Sequence, residues 1–228
     1  CPHYPYQGPK DEAYRRPGHA KPTQGPRLDR DQAYKEMMEC MDAGIGRIVQ
    51  TVKSCGIERD TLIFFFSDNG PSGPGSAGPL RGQKGTLWEG GHRVPAVACR
   101  PGTIPPGTKT DATCIGMDLF PTMLAAADID ATGERPLDSV NLLPVLTGEG
   151  APPERDLFWR HGEWRAVRRG PWKLLLYVGE EPWRALFNLA DDPGESNDLA
   201  AAHPALTDEL EASLHEWEQT VSAQTRLT

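Results

Sequence analysis

Residues 61–95 read TLIFFFSDNGPSGPGSAGPLRGQKGTLWEGGHRVP, and this stretch decides the fold. It opens on an unbroken apolar and aromatic run, Leu62 to Phe66, with the length and β-favouring composition of a strand buried on both faces. The run stops at Ser67-Asp68-Asn69-Gly70, which puts a carboxylate and an amide at a loop mouth where α/β sheets tend to place their sites. A loop rich in glycine, proline and serine follows, and then Arg81, Lys84, His92 and Arg93 arrive together with Glu89 against them. Hard-cation oxygens therefore stand one loop away from an anion-binding cluster. Asp-Asn-Gly is also a common tight turn, so a turn and a metal edge both fit the tripeptide alone.

Upstream, the apolar positions Ala33, Met37, Met41, Ile45, Ile48 and Val52 recur every three or four residues after a possible N-cap at Asp29 or Asp31. They predict a helix of about 25 residues ending at Gly56. Gly44 and Gly46 inside it suggest close packing against a neighbour, and Glu39 and Asp42 fall on its solvated side. The order helix, short loop, strand is that of a parallel α/β sheet. Residues 1–28 mix proline and glycine with aromatic and basic residues and read as an extended surface loop that contains His3.

Downstream, Val94–Cys99 reads as a second short buried strand, and Ile115 to Ala127 as a helix with Asp118 in its first turn, where the helix dipole favours a carboxylate. Residues 128–153 are loop-like around a short helix from Ser139 to Leu146. Trp159, Trp164, Trp172 and Trp183 then crowd among strand-like runs at Trp164–Val167, Trp172–Val178 and Ala185–Leu189, separated by turns that favour antiparallel hairpins. These tryptophans suit a sugar platform or the core under a small sheet. Asp191-Asp192-Pro193-Gly194-Glu195 lacks the alternating ligands of a calcium loop and reads as a turn. Leu206, Leu210, Leu214, Trp217 and Val221 mark an amphipathic helix whose apolar stripe must cover something, the small sheet being nearest; His215 falls on its outer side.

Composition sets limits. The chain has 228 residues, 38% of them hydrophobic, and a formal net charge of −8, which argues against nucleic acid as a partner. No run is long and apolar enough to span a membrane. Five cysteines without a CxxC pair suggest neither a zinc site nor a disulfide framework, and buried free thiols are the expectation. Cys40 and Cys55, on one helix, would lie about 22 Å apart and cannot bridge. The start, CPHYPYQGP, lacks an initiator methionine and reads as a cut from something longer.

The chemistry follows from the donors. Asp68 and Asn69 offer oxygen to a hard cation, which needs about six to eight such ligands when it is calcium, so the two require help from elsewhere. Gly82-Gln83-Lys84-Gly85 lets backbone approach an anion while Lys84 supplies a point charge. With these residues in view, SDNG followed by LRGQKGTLWEGGHRVP resembles the second signature of the sulfatase family, within the alkaline-phosphatase-like superfamily. Pro2 to Pro9 is similar to that family's histidine loop, Met117 to Thr122 to its Asp-Leu-Pro-Thr helix, and Arg165–Arg168, Trp172–Leu174, Leu186–Leu189 and Asp192–Glu195 to its C-terminal subdomain.

The resemblance implies an alkaline-phosphatase-like α/β fold: a mostly parallel sheet flanked by helices over residues 1–150, incomplete in its N-terminal half, and a C-terminal α+β subdomain over 151–228. It implies hydrolysis of aryl or carbohydrate sulfate esters. Asp68 and Asn69 would be ligands of Ca²⁺, with Mg²⁺ the weaker alternative. Lys84 would hold a sulfate oxygen and assist departure of the alcohol, with His3 beside it as a hydrogen-bond donor or proton source. Arg81 and His161 are further candidates for substrate contact. The family's nucleophile is a formylglycine made from a Cys/Ser-x-Pro-x-Arg motif. Cys99-Arg100-Pro101-Gly102-Thr103 imitates its start, but threonine stands where arginine is required. The nucleophile is therefore expected upstream of Cys1, and this chain alone is expected to lack turnover. Two other readings stay open: a phosphodiesterase or phosphonate-ester hydrolase of the same superfamily, and a non-catalytic module that retains sulfated glycans. Family resemblance implies a periplasmic or secreted location.

Overall fold

Periodicity and capping produce the first element where they should. In a computed structural model, which describes His3, Tyr6, Gly8 and residues 29–130 and 137–225, with side chains to residue 222, helix α1 runs over Arg30–Ser54. Its end is closed by backbone bonds from Cys55 and Gly56 to Thr51 and Lys53. Contacts divide the chain into two compact units, Cys1–Leu62 and Ile63–Thr228. In the first, Tyr6 is buried, edge-on to Tyr34 at 6.0 Å and under the Arg30 guanidinium. The apolar stripe of α1 is otherwise only half-covered: Ala33 is buried, whereas Ile48 is 61% exposed. The close packing expected at Gly44 and Gly46 is not found among the described residues, where the nearest atom to a Cβ on Gly44 would be the tip of Arg47 at 3.9 Å. Among the described residues buried thiols are not found either: Cys40, Cys55, Cys99 and Cys114 are free and exposed.

In the second unit, β1 (Ile63–Phe66) and β2 (Ala96–Cys99) pair antiparallel, with Ile63 opposite Cys99 and Phe66 opposite Ala96. This pair is antiparallel, and the expectation of full burial is corrected: Phe65, Phe66 and Val97 are exposed. An apolar strand is buried on both faces only where other layers cover it.

A single 3₁₀ turn at Gly116–Asp118 leads into α3 (Leu119–Ala126), after the short α2 (Glu89–His92). The fully buried Asp118 carboxylate accepts the backbone N–H of Ile115 and of Val140, and Arg155 grips it with both terminal nitrogens. Its role at the helix start is structural, as expected, and it also fastens the loop that leads to α4 (Leu143–Thr147).

Beyond it lies a four-stranded antiparallel sheet in the order β3 (Asp156–His161), β4 (Trp164–Arg169), β5 (Trp172–Tyr177), β6 (Trp183–Asn188). The hairpins match the tryptophan-rich runs, with β3 as an addition. Alternation sends side chains to two covered faces. On one, Val167, Leu174, Leu176 and Leu186 pack against Leu210 and Leu214 of α5 (Pro204–Thr225), so the final helix does cover the small sheet. Phe158 stacks on Trp217 at 5.1 Å, and Asp156 joins Arg169 to Ser213. On the other face, Ala166, Leu175, Ala185 and Phe187 pack against Leu87 and Trp88 of the glycine-rich loop. This second core joins Leu87 and Trp88 to the four-stranded sheet.

Candidate active site

The end of β1 and the lysine loop are built as one piece. Asp68 is exposed and Asn69 half-buried, while Gly70 behind them is buried and donates its N–H to Gly91 O at 2.8 Å. Lys84 N–H donates to Pro71 O at 2.9 Å, two residues after Asn69, and Gly90 N–H donates to Arg81 O at 2.7 Å. The approach is so close that a Cβ on Gly70 would meet Gly90 O at 1.8 Å, and one on Gly90 would meet Arg81 O at 2.5 Å. The Thr86 hydroxyl donates to Gln83 O and accepts Gln83 N–H, which folds the turn that carries Lys84. The oxygen donors and the exposed lysine thus share a single backbone lattice.

The other candidates fall elsewhere. Arg81 lays its guanidinium 3.7 Å over the Trp88 ring and donates to Glu195 O at 2.9 Å, so it closes the loop. His161 is exposed at the β3–β4 hairpin, opposite Trp164, and among the described residues no hydrogen bond, ion pair or ring contact joins it to the lysine loop. His3 is exposed in the first unit. Cys99 ends β2 and is followed by a turn in which Thr103 N–H donates to Arg100 O, so it is a strand end. Trp88, Trp159 and Trp164 pack on the core, and Trp183 stacks on Trp88. Asp192 accepts Ser196 and Asn197 N–H, which makes Asp191–Glu195 the expected turn.

The cation cluster read from the sequence changes most. Glu89 is fully buried and at the centre of a set of charges: Lys173 Nζ lies 2.9 Å from Glu89 Oε1 and 2.8 Å from Glu195 Oε1, with Arg168 and Arg93 near Glu89 Oε2. His92 is not a cation at neutral pH. Burial, and then the adjacent Lys173, push its pKa down to about 4, while its ring packs on Trp159 at 4.7 Å. Its Nε2 lies 3.2 Å from Leu87 O and 3.3 Å from Lys173 Nζ, and one nitrogen cannot serve both as donor and as acceptor. Burial pushes the Glu89 carboxyl up, but Lys173, His92 and Arg168 outweigh it and leave the group below its ordinary value. Glu195 is held above the ordinary value by burial. Sequence reasoning gave Lys173 and Glu195 no role. The available signal was a lysine inside an otherwise apolar strand, Trp172 to Tyr177.

Asp68 and Asn69 fit one edge of a hard cation's shell. No cluster of three or more histidine, cysteine or acidic residues suited to a metal occurs among the described residues.

Comparison with known proteins then identifies the architecture. The family description Sulfatase matches residues 1–129. The chain belongs to the sulfatase family. This sulfatase chain is 39% identical over 149 residues to arylsulfatase A of Bos taurus, covering 60% of the chain and 29% of that relative. It is 35% identical over 139 residues to steryl-sulfatase of Mus musculus, covering 57% of the chain and 22% of the relative. The solved structure of Ps i-CgsB in complex with k-i-k-neocarrahexaose superposes with a TM-score of 0.77 at 29% identity, over 84% of this chain and 44% of that one. The chain therefore spans less than a third of these curated relatives, and the fold is alkaline-phosphatase-like with a four-stranded antiparallel sheet toward the C-terminal end.

Proposed function

We propose that this chain forms one wall of the active site of a sulfuric ester hydrolase that cleaves aryl or carbohydrate sulfates. The observation that carries the reading is the backbone lattice that ties the Asp68-Asn69 strand end to Lys84 through Gly70, Pro71, Gly90 and Gly91. Asp68 and Asn69 would help hold Ca²⁺, with Mg²⁺ the weaker alternative. When bound, the ion would supply Lewis-acid neutralisation of sulfate oxygens. Lys84 supplies a positive Nζ that binds a sulfate oxygen and donates a hydrogen bond to the departing alcohol oxygen as charge develops on it. The family resemblance assigns His3 a proton-donor role, gives Arg81 and His161 secondary substrate contacts, and makes a periplasmic or extracellular location part of the proposal. Among the described residues no helix is long and apolar enough to cross a membrane.

The test is sulfate release from an aryl sulfate by the whole protein, against phosphate release from a matched phosphodiester. Lys84→Met should lower kcat for the sulfate by about a hundredfold or more. The family's Cys/Ser-x-Pro-x-Arg motif does not occur in residues 1–228, so these residues alone should give no multiple turnover. Unchanged sulfate turnover in Lys84→Met, or faster cleavage of the phosphodiester, would overturn the reading.

A further inference from the structure

Glu195 touches the lysine loop at both of its ends. Its side-chain Oε2 accepts the N–H of Glu89 at 2.6 Å, and its backbone carbonyl accepts Arg81 Nη1–H at 2.9 Å. Lys84 lies between these two points. Gly90 N–H, one residue after Glu89, donates to Arg81 O, so the segment is closed on itself as well as held from outside. The clamp is rooted in the sheet. Lys173, fully buried on β5 between Arg168 of β4 and Phe187 of β6, reaches Glu89 and Glu195 together. The hydrophobic face around it is the one that receives Leu87 and Trp88.

Backbone conformation gives a second, independent sign. Glu195 has φ +54°, and only one other non-glycine residue, Asp128, has a positive φ among those described. A glutamate held in the left-handed region is disfavoured locally and persists where its surroundings fix it. Here they fix it from three sides: Lys173, the Glu89 N–H and the Arg81 guanidinium.

From these contacts we infer that Glu195 and Lys173 are positioning residues for Lys84, so that the sheet at the C-terminal end sets the geometry of the catalytic loop. The inference rests on the reading of Lys84 as a group that touches the sulfate ester. Because the Lys84 and Gly70 backbones are bonded into the same loop, slackening the clamp would displace the lysine relative to Asp68 and Asn69. Small misplacement of a positioned group costs rate more than affinity.

The experiment is a double-mutant cycle in the whole protein, with kcat and KM measured on an aryl sulfate. Glu195→Gln keeps an oxygen for the Glu89 N–H and removes the charge that faces Lys173. It should lower kcat about tenfold in the wild-type background and change KM less than about twofold. In the Lys84→Met background the same substitution should cost less than about twofold, because the group it positions is gone. Equal loss in both backgrounds overturns the positioning role alone. Wild-type activity in Lys84→Met overturns the reading of Lys84 and this inference with it. Near-ultraviolet circular dichroism of the tryptophans reports folding. Should Glu195→Gln fail to fold, Glu195→Asp keeps the charge that faces Lys173 and withdraws the carboxylate from the Glu89 N–H, and it must show the same kcat-selective, Lys84-dependent loss or the inference fails.

Discussion

The two sheets of this chain differ in how far the described residues cover them. The β1–β2 pair carries Ile63, Phe64, Phe65, Phe66 and Val97, yet Phe65, Phe66 and Val97 are exposed. The four-stranded sheet carries Arg165, Arg168, Arg169 and Lys173, yet its centre is closed on both faces and Lys173 is fully buried. The difference lies in what the chain places over each sheet. Helix α5 covers one face of β3–β6, and the loop of Leu87 and Trp88 covers the other. Burial is a property of layers, and an apolar strand is only an offer to form one.

The strongest test of this contrast is Lys173→Met. The new side chain is apolar and of similar length, so a reading by composition expects gain. The structure predicts loss of about 3–5 kcal/mol, because Glu89 and Glu195 would be left as buried carboxylates without their shared partner. Urea unfolding of wild type and variant measures it, and a loss below about 1 kcal/mol would mean that the cluster is not a dry, paired one.

Next in size is a dependence on pH. His92 has an ordinary value near 6.5 unfolded and about 4 folded, with Lys173, Glu89, Arg168, the Leu87 carbonyl and Trp159 around it. Between those values the unfolded chain binds the proton and the folded chain does not. The stabilisation is therefore present above about pH 6.5 and is lost as pH falls toward 4, by about 2–3 kcal/mol. Protonation of Glu89, whose value is lowered, extends the loss at lower pH, whereas Glu195, whose value is raised, opposes it. His92→Gln should flatten the slope between pH 6.5 and 4.5 in denaturant unfolding, and an unchanged slope would remove His92 as its source.

Much of this was legible because it is local. The period of α1, the hairpins of the tryptophan-rich runs, the stripe of α5 and the turn at Asp192 are all written in neighbouring residues. The Asp68-Asn69 end and the Lys84 turn were legible as motifs, and the sheet pairing of β1 with β2 was not, since strand direction depends on a partner thirty residues away. Glu89 looked like a lone carboxylate among cations because its true partners, Lys173 and Glu195, are 84 and 106 positions further on. The contacts of Arg81 with Trp88 and Glu195 were hidden for the same reason, since Glu195 is far along the chain.

The smallest expected effect gives the cleanest comparison, because one substitution can be made in both sheets. Valine to threonine keeps shape and β-branching and adds only a hydroxyl. Val167 on β4 is fully buried, opposite Phe158 and Leu174 and packed with Leu210 and Leu214. A hydroxyl there enters an apolar core without a partner, so Val167→Thr should cost about 1–3 kcal/mol. Val97 on β2 is 61% exposed and opposite Phe65, so Val97→Thr meets water and should stay within about 0.5 kcal/mol. Parallel denaturant curves measure both. An equal, large cost at the two positions would show that the face of β2 is covered in solution, and the contrast between the sheets would then be one of which layers are counted rather than of how the strands are built.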